Sequence, residues 1–283
     1  MKKAINYWSF PGGLEGSKDV IGCLDEAREL GFDGIELCFA GGGALPVDAR
    51  PEHLKAIRDH AKSIGIDICS VATGLLWEKS LTADNEEVRQ EAMNIVERGL
   101  EIASALGADT LLVIPGAVDV FFLPDVKPVP YEVAYARLRE AMEKLVPVAE
   151  KNKVSIALEN VWNRFLLSPL EVKDFIDAIG SPYLGAYLDV GNVMLTGYPE
   201  QWIRILGKRI KKVHLKDFRR NVGTVEGFVD LLEGDVNWPA VIGALRETGY
   251  DGYLIAEMIP HYRHCPEVRL ANASRAMDAI LGL

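Results

Sequence analysis

The stretch Gly31-Phe32-Asp33-Gly34-Ile35-Glu36-Leu37-Cys38-Phe39 sets a glycine, an aspartate and an unalternating apolar run side by side. The same order returns at Gly65-Ile66-Asp67 before ICSVAT, at Gly107-Ala108-Asp109 before TLLVI, and at Gly249-Tyr250-Asp251 before GYLIAEM. Glycine ends a helix because it takes positive φ without a steric penalty. A short run of Ile, Val and Leu with no polar alternation reads as a strand buried on both faces of a parallel sheet. The first intervals, 34 and 42 residues, each hold one strand, one helix and two loops.

Eight such units account for the 283 residues and predict a single-domain (β/α)8 barrel, a TIM barrel, over 1–283. Strands are expected at Ala4–Trp8, Gly34–Phe39, Asp67–Thr73, Asp109–Ile114, Ser155–Glu159, Leu184–Asp189, Lys211–Lys216 and Tyr253–Met258. Amphipathic patterns place helices between them, among them Glu86–Leu106 and Glu132–Lys151. Ser168-Pro169-Leu170-Glu171 carries a capping serine, a first-turn proline and a glutamate three residues on, and Asn237 before Trp238-Pro239 is a second cap. An open doubly wound sheet is the rival fold, but the regular crossovers favour closure, and Gly41–Gly43 lacks the spacing of a dinucleotide-binding fingerprint.

Composition narrows the function. The formal net charge of -10 argues against nucleic acid and anionic membrane as partners. Neither a signal peptide nor a membrane span is legible, so a cytoplasmic location is expected. Cys23, Cys38, Cys69 and Cys265 show no C-x-x-C spacing and read as free thiols, three of them in apolar surroundings.

In a barrel of this kind, chemistry gathers at the carboxyl ends of the strands. The fifth expected strand ends in Glu159, the sixth in Asp189, the seventh carries His214 and the eighth ends around Glu257. One acid in an apolar strand could be a buried ion pair. Beside the imidazole, three carboxylates from consecutive strands sharing one pocket would repel one another without a cation between them. This oxygen-rich set leaves coordination positions open and suits Mn²⁺, with Co²⁺, Mg²⁺ or Zn²⁺ as alternatives.

The segments ALENVWNRF, YLDVGN, VHLKD and LIAEM, from Ala157 to Met258, resemble the xylose-isomerase-like barrel superfamily. Within it they are most similar to the sugar phosphate isomerase/epimerase group, which includes the D-tagatose/D-allulose 3-epimerases and the L-xylulose-5-phosphate 3-epimerases. The resemblance implies that Glu159, Asp189, His214 and Glu257 hold one divalent ion. It further implies that Glu159 and Glu257, on opposite faces of a ketose, remove and return the C3 proton through a cis-enediolate. It also implies a homo-oligomer, a dimer or a tetramer. The chain departs from the free-sugar epimerases at Leu166, where they carry an acid, and at Asn192, where they carry a histidine. Arg220 keeps the spacing of their arginine, while DVGN, HLKD and LLEGDVNW look closer to the phosphopentulose enzymes.

Substrate contacts are expected from Trp8, Glu36, Asn192, Lys216 and Arg220, with Glu36 alternatively orienting a metal ligand. Lys216, Arg219 and Arg220 could receive a phosphate or form ion pairs with Asp217, and the loop His261–His264 is a further candidate phosphate contact. Trp77, Phe121 and Phe122 could cap the pocket, with Gly116–Pro130 as a lid. Aldose–ketose isomerisation or dehydration of an inosose would use the same metal site. An apurinic endonuclease would need more histidines than the five present, and a non-catalytic sugar binder would not need two carboxylates across its ligand.

Overall fold

The structure is a computed structural model, and it describes residues 1–123 and 126–283. Eight parallel strands form the barrel: β1 (Lys2–Asn6), β2 (Gly34–Phe39), β3 (Asp67–Thr73), β4 (Thr110–Val113), β5 (Ser155–Glu159), β6 (Leu184–Asp189), β7 (Ile210–Leu215) and β8 (Tyr253–Ala256). They pair in the order β1-β8-β7-β6-β5-β4-β3-β2 and close on themselves, so the open doubly wound alternative is set aside. Closure leaves no sheet edge exposed. β2, β4 and β6 are buried along their whole length, which is why these segments show no polar alternation.

The helical layer obeys its local signals. Ser168 accepts a hydrogen bond from the Glu171 amide and starts the helix Pro169–Ile179, and Asn237 accepts from Ala240 to start Trp238–Glu247. Gly107 ends Glu86–Leu106 at φ 85°, a conformation that a Cβ would strain. The last helix, Val268–Leu281, docks on β1 through Lys3, whose ammonium reaches Ser274 at 3.0 Å and Asp278 at 2.5 Å.

β4, β7 and β8 differ from their expected limits by one or two residues at an end, and two segments depart further. The first strand stops at Asn6, and Tyr7–Ser9 turns as a 3₁₀ helix capped by the Asn6 side chain. After β7 the chain adds a short antiparallel ribbon, Asp217–Phe218 against Phe228–Val229, that stands beside the barrel mouth. Cys23, Cys38 and Cys69 are buried and free, and Cys265 is exposed. Among the described residues no helix is long and apolar enough to cross a membrane.

Candidate metal centre

Strands β5 and β6 end on Glu159 and Asp189, β7 carries His214 one residue before its end, and Glu257 follows β8 directly. Register matches the pattern, with Asp189 paired to His214 across the β6–β7 seam. Glu159, Asp189, His214 and Glu257 are 7%, 0%, 0% and 4% exposed, so water cannot balance their charge. One donor atom from each lies within 4.8 Å of all the others. His214 Nδ1 is 3.2 Å from Glu159 Oε1, 3.8 Å from Glu257 Oε2 and 3.9 Å from Asp189 Oδ2.

Two oxygens of this cluster, Asp189 Oδ2 and Glu257 Oε2, are buried without a hydrogen bond from any described residue. The Lys216 ammonium lies 3.1 Å from the first and against the second, meeting both as a charge rather than in hydrogen-bond geometry. Two carboxylate oxygens partnered by that ammonium alone, a third carboxylate and an imidazole nitrogen converging on one spot fit a hard or borderline divalent ion.

Protonation follows from crowding. Burial, reinforced by Glu257, pushes the Glu159 carboxyl from 4.5 up to about 7 against the pull of His214 and Lys216. Burial likewise raises Asp189, with Lys216 and His214 opposing. Burial disfavours the His214 imidazolium, yet Glu36, Glu257 and Glu159 outweigh it and hold the ring charged. The same contest keeps Lys216 charged, burial losing to Asp189, Glu257 and Glu159.

The surroundings hold these groups in place. Glu36 lies wholly buried on β2 and accepts from His214 Nε2 (2.7 Å), Asn6 Nδ2 (2.6 Å), Ser70 Oγ (2.7 Å) and the Tyr187 hydroxyl. Burial would raise its carboxyl, but the His214 charge and these donors carry it below its ordinary value. A carboxylate on Nε2 turns Nδ1 toward the three acids. Asp189 is fixed by neighbours on both sides. Its amide donates to Asn160 Oδ1 at 2.8 Å, its carbonyl accepts from Asn160 Nδ2 at 2.9 Å, and its Oδ1 accepts from the Asn192 amide at 2.8 Å. A Cβ on Gly191 would come within 2.5 Å of the Lys216 Cβ, so glycine in DVGN lets the lysine stem pass.

A cavity of about 500 Å³ opens onto Glu159, Glu257 and Lys216. Of the residues expected to meet substrate, Trp8, Asn192 and Lys216 line it. Glu36 and Arg220 are not in its lining. Glu36 is sealed behind His214. Arg220 is drawn to the Gly197 carbonyl (2.7 Å) and lies over the Tyr198 ring at 4.4 Å. Asn192 donates its side-chain amide to the Asn160 carbonyl at 3.0 Å.

Asp217 pairs with none of the neighbouring cations. It accepts from the amides of Phe218 (2.9 Å), Leu232 (2.9 Å) and Val236 (3.2 Å) and from Trp238 Nε1 (3.1 Å), pinning the loop after the ribbon. A Cβ on Gly234 would meet its Oδ1 at 2.1 Å, which explains the glycine of GDVNW. Arg219 faces Glu233, His261 bonds the Trp8 carbonyl at 2.8 Å, Tyr262 bonds Asp230, and Arg263 and His264 are exposed. Trp77, Phe121 and Phe122 line the cavity as an edge-to-face cluster. Pro124 and Asp125 of the expected lid, Gly116–Pro130, lie outside the described residues. Sequence reasoning missed Trp162 and Phe228, which face each other at 5.1 Å in the cavity wall. The aromatic of NVWN, three residues past the first ligand strand, was the available signal.

The family model described as a xylose isomerase-like TIM barrel matches residues 24–280. The fructoselysine 3-epimerase of Escherichia coli O157:H7 is 21% identical over 261 residues, covering 90% of this chain and 91% of its own. The L-ribulose-5-phosphate 3-epimerase of Salmonella paratyphi C is 22% identical over 250 residues, covering 87% and 84%. The D-psicose 3-epimerase of Clostridium cellulolyticum H10, solved with D-tagatose, superposes with a TM-score of 0.81 at 18% identity over 99% of both chains.

Proposed function

The chain belongs to the xylose isomerase-like TIM barrel family, and from that premise we propose that it is a divalent-metal-dependent ketose 3-epimerase. One observation carries the reading: a buried cluster of three carboxylates and an imidazole, with two carboxylate oxygens lacking hydrogen bonds, at the floor of a cavity with room for a sugar. The epimerase names of its relatives agree with it. Glu159, Asp189, His214 and Glu257 would hold the ion, Mn²⁺ being the first choice. Such an ion supplies Lewis-acid polarisation of a carbonyl and a neighbouring hydroxyl, which acidifies the hydrogen at C3.

The protein's own groups then move the proton. Glu159 and Glu257 both reach the cavity while Asp189 and His214 stay behind them. One carboxylate takes the C3 proton and the other carboxyl gives one to the opposite face. A carboxyl whose environment lifts it to about 7, as at Glu159, sits where acid and base forms are both accessible near neutral pH. Glu36 sets the His214 ring, and Asn160 and Asn192 set Asp189.

The test is proton exchange in D₂O. Mn²⁺-loaded protein is incubated with ketopentoses, ketohexoses and their terminal phosphates, and deuterium is located by NMR. Label at C3 with the inverted epimer present, lost in Glu159→Gln and Glu257→Gln, is the expected result. Label at C1 or C2 would make the protein an aldose–ketose isomerase, and no exchange on any substrate would overturn the epimerase reading.

A further inference from the structure

We propose that the ketose taken by this site carries an aromatic substituent and no phosphate, an inference that rests on the epimerase reading and adds the chemistry of the substrate's far end. At about 500 Å³ the cavity is of the size that encloses drug-like ligands, more room than a plain pentulose or hexulose fills. Its polar groups are concentrated at the reacting end, on Glu159, Glu257, Lys216 and Asn192. The mouth is different in kind. Trp77, Phe121 and Phe122 stack edge to face there, beside Leu14. Phe121, Phe122 and Leu14 are 55%, 45% and 48% exposed, a contiguous apolar surface continuous with the reacting end. A ring seated against them gains buried area and further edge-to-face contacts.

A phosphate finds no such reception among the described residues. Lys216 is the one cation in the cavity lining, and it is ion-paired with Asp189 and Glu257 at the reacting end. Glu78, also in the lining, adds negative charge. The lining amides of Gly13 and Gly16 donate to the carbonyls of Phe10 and Gly13, and that of Leu75 to Thr73 Oγ1, so they form no anion cradle. Of the other cations on the loops, Lys79 pairs with Glu91, Arg164 with Asp119 and Arg219 with Glu233, Arg220 bonds the Gly197 carbonyl, and the exposed Lys127 and Arg263 stand outside the lining. A phosphate at the substrate's far end would therefore meet apolar rings and Glu78 rather than a counter-charge in the lining.

The experiment uses the Mn²⁺-loaded protein and each of the four D-ketohexoses as the parent sugar, its 6-phosphate and its 6-O-benzyl ether. C3 deuterium exchange gives kcat/KM, and quenching of the tryptophans in the cavity wall gives Kd. The benzyl ether of the best sugar is expected to exceed both parent and phosphate at least tenfold in kcat/KM. In Phe122→Ala and in Trp77→Ala, both at the half-open mouth, the benzyl-to-parent ratio should fall at least fivefold. A phosphate preferred to the benzyl ether, or a benzyl ether no better than its parent, overturns the inference while C3 exchange itself leaves the epimerase reading standing. With no C3 exchange on any sugar, the epimerase reading falls. Benzyl-ether binding at least tenfold tighter than that of the phosphate would then still support the aromatic subsite, and equal or weaker binding would overturn it.

Discussion

Replacing Glu36 with Gln changes one atom of a residue that touches no cavity, yet it should weaken metal binding. In the wild type, Glu36 Oε1 accepts from Asn6 and from His214 Nε2, while Oε2 accepts from Ser70 and Tyr187. A glutamine amide must place its NH₂ at one of these positions. Opposite Ser70 and Tyr187 it meets hydroxyls that can rotate to accept. Opposite His214 and Asn6 it would meet donors, so the first orientation is preferred and the ring stays in place. What disappears is the negative charge 2.7 Å from Nε2. A hydrogen bond to a charged partner is worth about 1.5–3 kcal/mol against about 0.5–1.5 for a neutral one. The difference, roughly 1–2 kcal/mol, is about a tenfold loss, and imperfect ring orientation takes it toward the roughly hundredfold end found for partners of metal-bound histidines. Mn²⁺ titration by calorimetry reads this directly, with circular dichroism as the check on folding. Tyr187→Phe, which removes one donor from the same carboxylate, should lose less. An affinity within threefold of wild type in a folded Glu36→Gln protein would refute the idea that Glu36 acts through His214.

Further outcomes follow from the same geometry. Between 4.5 and about 7 the metal-free folded protein keeps a proton on Glu159 that the unfolded chain has released. The stability that Glu159 contributes is thus lost as pH rises through 7, and thermal scans of wild type minus Glu159→Gln should show it; a difference that grows with pH would contradict the sign. Ion uptake expels that proton and the one that keeps His214 charged, so Mn²⁺ affinity should climb by up to about a hundredfold per pH unit below 7 and more gently, up to about tenfold per unit, above it. Lys216→Met removes the ammonium that meets Asp189 and Glu257, so the metal-free protein should melt earlier while Mn²⁺ binds roughly tenfold tighter by calorimetry. Asp217→Ala strands four donors around a fully buried site and should cost about 3 kcal/mol or more, seen as a lower Tm, with Asp217→Asn in between.

The strands were legible where the chain is buried on both faces, because there composition alone carries the signal. β2, β3, β5 and β6 fall on their expected limits. The expectation ran past the end of β1 because Asn6 caps a turn with its own side chain, a competition that apolar periodicity does not register. The four candidate ligands stood out because an acid or imidazole at the end of an apolar run is conspicuous. Glu36 stood out equally, but whether it faces a sugar or a histidine depends on Ser70 and Tyr187, 34 and 151 residues away. Arg220, expected at the substrate or paired with Asp217, shows the same limit, for in space Asp217 and Arg220 each bond to backbone from another segment.

The provenance of the cavity's parts has an evolutionary consequence. The four candidate ligands come from β5 to β8, whereas Trp8, Phe39, Trp77, Leu112, Ile114 and Phe122 come from β1 to β4 and the loops that follow them. The candidate ligands are thereby confined to the second half of the gene, whereas the cavity wall draws on both halves, Trp162 and Phe228 closing it from the second, and the bond from Glu36 to His214 joins the two. Recombination or drift in the first half can retune which sugar is accepted without rewriting the chemistry, provided that one bond survives the exchange.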